Sequence, residues 1–104
     1  MSSKNEPLMP EFSDWQHLMK LVKNAAASDQ HEMLLTMMMT ADEREALVAR
    51  VNILNELLKG EISQRQISQM LGVGVATITR GSNELKSHSA EEKQVLLNLL
   101  SNNK

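Results

Sequence analysis

Residues 63–86, SQRQISQMLGVGVATITRGSNELK, gather the side chains of this chain best suited to recognition chemistry. Thr77, Thr79, Arg80, Ser82 and Asn83 offer hydroxyls, a guanidinium and an amide, the groups that bond phosphate oxygens and base edges. Such groups read a duplex only from a rigid element that fits its groove, and the spacing supplies one. Ile67, Met70 and Leu71 form an apolar edge at helical spacing. Gly72 stands where a helix would end in a left-handed residue. Gly74 precedes a second helix from about Val75, which buries little besides Val75, Ile78 and Leu85. Ser68 is small where the two helices must approach, and Val73 is an apolar plug in the turn. The pattern predicts a helix-turn-helix at about 63–87, with a recognition helix, and implies DNA binding. The competing reading is an αα-hairpin whose polar face merely meets water. Thr, Arg, Ser and Asn on that face, in place of a Glu–Lys mixture, favour the first.

A second constellation fits DNA contact less well. Arg50 puts a guanidinium on a mostly apolar helix face, near Ala46, Ile53 and Leu57. Gly81 lies inside the recognition helix, where glycine costs about 1 kcal/mol relative to alanine. Something must therefore come close to its backbone, and alanine there is expected to stabilise the helix in isolation by up to that amount. Arg80 is adjacent and Thr77 one turn back. Guanidinium planes stack on π surfaces and grip carboxylates in forked geometry. The set suits a small flat ligand bearing a carboxylate, held between Arg50 and Arg80 over Gly81. The residues alone leave the alternative open, in which Arg50 pairs with a glutamate and Gly81 is incidental.

The elements that must position these groups are all helical. Glu11 to Ala27 carries Phe12, Trp15, Leu18, Met19 and Val22 at three- and four-residue steps, an amphipathic helix. Ser28-Asp29-Gln30 breaks it, and His31 to Met39 follows, apolar around most of its circumference. Thr40–Glu43, Ser63–Gln66 and Ser89–Glu92 match capping boxes and mark three helix starts. The helix Ala41 to Lys59 bears one stripe of Leu47, Val51, Leu54 and Leu58 and another of Ala46, Ile53 and Leu57. A last helix from Ala90 carries Val95, Leu96, Leu99 and Leu100, then frays into Ser-Asn-Asn-Lys. So wide an apolar surface asks for a second copy as cover. The expected fold is all-α, six helices per chain in an intertwined homodimer, with residues 1–10 a mobile arm and 11–104 a single domain.

Composition narrows the function classes. The chain has 104 residues, eight methionines, no cysteine and a formal net charge of −2. Phe12 and Trp15 are its aromatic residues, so core volume falls to aliphatic side chains and methionine, which fills irregular gaps. Without cysteine there is no disulfide or thiolate metal site, and a cytoplasmic location is expected. No run suits a signal peptide or a membrane span. His17, His31 and His88 are scattered, and no acid–base pair or phosphate loop argues for an enzyme. Between Lys59 and Lys86, the cations Lys59, Arg65, Arg80 and Lys86 outnumber the anions Glu61 and Glu84, a local excess of two positive charges.

The runs MMTADEREALVARVNILNELLKGEISQRQ and LGVGVATITRGSNELK closely resemble the Trp repressor family, over nearly the whole chain. The resemblance implies an interlocked helical homodimer that takes L-tryptophan as corepressor, with no other cofactor. It then implies recognition of double-stranded operator DNA and repression of genes for tryptophan biosynthesis and transport. Carried over by position, Arg50 and Arg80 flank the indole, Gly81 lies beneath it and Thr77 beside it. Thr40 comes from the other subunit, and Met37 and Met39 offer backbone carbonyls to the ligand ammonium where leucines are usual. Gln64, Arg65, Gly74, Val75, Ala76, Thr77, Thr79, Asn83 and Lys86 match positions facing DNA. Two departures stand out. Glu84 occupies a place where some members have a serine near the ligand amino group, and Ser68 replaces a lysine. The other readings to be weighed are a helix-turn-helix protein without an amino-acid effector and a helical scaffold dimer that binds no DNA.

Overall fold

The structure, a computed structural model, describes residues 7–104. Most of the expected N-terminal arm lies outside the described residues, and its described part, Pro7 to Pro10, is exposed and without regular structure. Six α-helices follow: α1 (Trp15–Ala27), α2 (His31–Met38), α3 (Ala41–Lys59), α4 (Gln64–Leu71), α5 (Val75–Lys86) and α6 (Ala90–Asn102). They divide into two compact units, one holding α1 and α2 and ending at Thr40, the other running from Ala41 to Lys104.

In the first unit the opening helix starts later than the apolar spacing predicts. Asp14, in extended backbone, accepts a hydrogen bond from the His17 amide at 2.9 Å and caps α1. A carboxylate at the cap satisfies an otherwise orphaned amide, so Glu11 to Ser13 lie before the helix. Phe12 sits there with its ring tilted on His17, centroids 4.7 Å apart. The break at Ser28-Asp29-Gln30 is as expected: Asp29 takes φ 58°, and the Gln30 amide returns to the Ala25 carbonyl at 2.7 Å. Aspartate is among the residues that tolerate this left-handed conformation. Ala25 is buried in α1, whereas within one chain no α2 residue is, and Met33, Met37 and Met38 are exposed.

The second unit is built on three isoleucines. Ile53 of α3, Ile67 of α4 and Ile78 of α5 are 2%, 0% and 0% exposed, and Leu57, Ile62, Leu71 and Val73 pack around them. Burying each such side chain contributes about 1.5–3 kcal/mol, so this cluster clamps the three helices together. Two of the expected capping boxes stand here. The Ser63 hydroxyl accepts from the Gln66 amide at 3.1 Å while Gln66 accepts from the Ser63 amide at 2.8 Å. Ser89 and Glu92 do the same at 3.1 Å in both directions.

Three details differ from the sequence expectation. Val75 and Met70, expected in the core, are more than half exposed, because Ile78 and Ile67 already fill the space between the helices. Ser101 and Asn102 continue α6, whose end is held where the Asn103 side chain donates to the Leu99 carbonyl at 2.8 Å. Lys59, counted toward the local positive excess, lies 3.3 Å from Glu56 and is largely neutralised by it. Among the described residues no helix is long and apolar enough to cross a membrane, and no acidic or histidine cluster has metal-binding geometry.

Candidate functional site

The turn between α4 and α5 is built from local hydrogen bonds. Gly72 ends α4 at φ 67°, ψ 31°, a conformation that costs most residues about 1–2 kcal/mol and glycine little. The Ser68 carbonyl accepts from the Gly72 amide at 2.9 Å and the Val73 amide at 3.2 Å. The Ser68 hydroxyl donates to the Val73 carbonyl. Its small side chain therefore closes the turn and does not simply leave room for a helix crossing. Val73 faces the isoleucine cluster, as its place in the turn predicts. The Gly74 carbonyl then accepts from the Thr77 amide at 3.0 Å to open α5.

At 100° per residue, α5 has three faces. Ile78 and Leu85 point inward, buried and half-buried. Ala76, Thr79, Asn83 and Lys86 share the opposite, exposed face. Gln64 and Arg65, at the first turn of α4, are exposed as well, and the Thr79 hydroxyl lies 3.4 Å from the Gln64 amide oxygen and 3.1 Å from the Val75 carbonyl. Gly74 and Val75 are exposed where α5 begins. The structure thus sets most of the residues expected to face DNA along the exposed side of α5, from Gly74 to Lys86, and at the start of α4.

The third face of α5 turns toward α3. Between the two helices lies a cleft of about 600 Å³, lined by Arg50, Ile53 and Leu54 of α3 and Thr77, Arg80, Gly81, Asn83 and Glu84 of α5. That volume is in the range of small-molecule sites. The four residues singled out for a flat carboxylate ligand, Arg50, Thr77, Arg80 and Gly81, all line it. Among the described residues neither arginine pairs with a carboxylate within 4 Å, so the alternative in which Arg50 is bound to a glutamate is not what the structure holds. Thr77 and Asn83, read from sequence as facing DNA, border this cleft as well. Leu54 and Glu84 belong to the lining but were not singled out as ligand residues. Leu54, one turn from Arg50, was legible as stripe but not as cleft floor.

Gly81 has a reason that the sequence hid. A β-carbon built there would lie 2.9 Å from Cγ2 of Ile53 and 3.6 Å from Cδ1 of Leu57. What approaches the glycine is a methyl of the core, carried on a stiff β-branched side chain. Alanine, expected to favour the helix in isolation, would press on the core in the folded unit: close packing of α3 on α5 requires the glycine. Met37, Met39 and Thr40 lie in or just after α2, in the first unit; Met37 and Thr40 are exposed and Met39 half-buried.

The family described as Trp repressor protein matches residues 13–100. A Trp operon repressor homolog of Vibrio cholerae is 72% identical over 91 residues, 88% of each chain. Homologs so named from Vibrio atlanticus and Vibrio vulnificus are 71% identical over 91 residues and 67% over 95, covering 88% and 91% of this chain and 93% of their own.

Proposed function

The chain belongs to the Trp repressor family, and from that premise we propose how this tryptophan-responsive transcriptional repressor works. L-Tryptophan occupies the cleft between α3 and α5. Its indole lies between the Arg50 and Arg80 side chains beside Gly81 and Thr77, and its carboxylate faces Arg80. Met37, Met39 and Thr40 reach the ligand in the assembled homodimer, Thr40 from the partner subunit. Gln64, Arg65, Thr79, Asn83 and Lys86, with Thr77 and the Gly74-Val75-Ala76 opening of α5, face operator DNA. The protein acts in the cytoplasm on genes for making and importing tryptophan.

One observation carries this reading: α5 presents an exposed polar face on one side and lines the cleft against α3 on another. An occupant wedged between α3 and α5 biases where the recognition helix stands. A two-fold dimer reads a palindrome when its recognition helices are one DNA turn, ~34 Å, apart, a geometry of which the Trp repressor is itself a type example. The ligand shifts that placement only through its differential affinity, so the DNA-bound form must hold tryptophan more tightly in equal measure. Few of the exposed side chains can grip a base in bidentate fashion. Specificity then leans on DNA shape and bridging water, the latter a feature for which the Trp repressor is the named case.

The test pairs calorimetry of L-tryptophan binding with anisotropy titrations of duplex DNA from upstream of tryptophan-biosynthesis genes. Tryptophan should bind the unaltered protein and raise its DNA affinity, with a steep salt dependence, and Arg50→Ala should lose both effects. DNA binding indifferent to tryptophan would leave an effector-free binder; absence of DNA binding would leave a scaffold.

A further inference from the structure

We infer that Ser68 is a positioning residue for DNA recognition: its hydroxyl holds the Val73 carbonyl and so fixes the direction in which α5 leaves the turn. This rests on the DNA-binding reading of α5 and goes beyond it, because Ser68 stands outside the residues expected to touch DNA and acts through the backbone.

Within a helix, a serine hydroxyl ordinarily finds the carbonyl one turn back. Ser68, half-buried in α4, bonds instead to a carbonyl five residues ahead, beyond the end of its own helix. Its backbone carbonyl takes the Val73 amide at 3.2 Å. One residue thus holds both peptide groups that flank the Val73 α-carbon, and the φ and ψ of Val73 have little room to change. The Val73 side chain packs on the isoleucine cluster and anchors the same point from the other side. Gly74, the next residue, is the N-cap of α5 at φ −69°, ψ 150°, and brings no side-chain hydrogen bond to the first turn. Glycine also leaves the backbone its widest freedom. The contact between the exposed Thr79 and Gln64 side chains, at 3.4 Å, is a weaker link between α4 and α5. The entry of α5 is therefore set from the α4 side, and the Ser68 hydroxyl is the polar group that sets it. Ile78, 0% exposed, pins the middle of α5 to the core, which leaves tilt about that point as the freedom the turn must remove. From Ile78 to Lys86 the helix runs about 12 Å, so a tilt of about 10° moves Lys86 by about 2 Å. A hydrogen bond to DNA does not survive such a shift.

Two readouts on three proteins make the test: the unaltered chain, Ser68→Ala and Ser68→Thr. The first is the duplex titration in saturating L-tryptophan, and the second is amide hydrogen exchange of the DNA-free protein, followed by NMR. Alanine is the better helix former, so a role confined to α4 predicts a stabler α4 and unchanged DNA affinity. Loss of the hydroxyl should instead weaken duplex binding about three- to tenfold, the scale of one net hydrogen bond. The Gly72, Val73 and Thr77 amides, which close the turn, should exchange faster in Ser68→Ala through local opening. Ser68→Thr keeps the hydroxyl and should restore both readouts to within about twofold. Unchanged DNA affinity in Ser68→Ala, or a threonine variant as weak as the alanine one, would overturn the assignment. So would weaker binding with unaltered amide exchange, which would make the hydroxyl a direct contact to DNA. If the unaltered protein bound no duplex while Ser68→Ala still exchanged faster, the DNA-binding reading would fall and the positioning role with it, leaving a clamp of the turn alone.

Discussion

Gly81 shows how one residue can carry two demands. Its helix propensity is poor, and the sequence alone makes alanine an improvement. In the folded unit the missing β-carbon would press on Ile53, which is itself 2% exposed and has nowhere to retreat. Overpacking of this kind costs about 1–3 kcal/mol, more than the propensity gained. Gly81→Ala should therefore lower stability in urea unfolding and weaken tryptophan binding together. The contact also names its remedy. Ile53→Leu removes the β-branch methyl that blocks the space, so the double variant should recover part of the loss, a coupling that independent sites do not show. A stable Gly81→Ala chain would mean that α3 and α5 are less closely packed than the structure has them.

At the scale of the element, the start of α6 joins a cap to a titration. Glu92 accepts from the Ser89 amide, and this backbone hydrogen bond is the main reason its carboxyl is held below the usual range. The neighbouring His88, 3.5 Å from Glu92, adds to the effect when protonated. A depressed folded pKa makes its contribution to stability above the ordinary carboxylate value and loses it as pH falls through the lowered one. Helix stability at α6 should accordingly decline on acidification below about pH 4.5, the ordinary glutamate value. Glu92→Gln should flatten that part of the profile, as followed by urea midpoints from pH 3 to 7. An unchanged profile in Glu92→Gln would show that the box does not respond to charge. The same device at Ser63 sets the start of α4, and with it the place of Gln64 and Arg65.

For the whole molecule, the decisive fact is how little apolar surface one chain hides. Buried hydrophobic residues among those described are Ala25, Ile53, Ile67 and Ile78. Leu47, Val48 and Val51 on α3, Met33, Met37 and Met38 on α2, and Val95 and Leu99 on α6 are all exposed. A cavity of about 540 Å³, whose lining includes Leu54, Leu85, Val95, Leu96 and Leu99 beside polar residues at the start of α6, adds to this surface. Ordering each residue costs on the order of 1–2 kcal/mol, which so small a core does not offset. The homodimer is the cover that we propose. Light scattering at micromolar concentration should give twice 11.7 kDa, and the unfolding temperature should rise with protein concentration. A cooperatively folded monomer would refute it.

What the sequence determined by itself was local: the bounds of α3, the boxes at Ser63 and Ser89, the left-handed stop at Gly72 and the polar outer face of α5. Each rests on residues within a turn or two of one another, where periodicity and backbone hydrogen bonding leave few choices. It also brought Arg50, Thr77, Arg80 and Gly81 to notice as misfits on otherwise ordinary helices, and all four line one cleft. The start of α1 and the end of α6 are set by the capping groups at Asp14 and Asn103, which apolar spacing does not register. Tertiary structure alone decided why position 81 must be glycine and that Leu54 forms part of the cleft. Those facts depend on how closely α3 crosses α5. That distance is set by the interlocking of Ile53, Ile67 and Ile78 from three separate helices, and no single stretch of sequence records it.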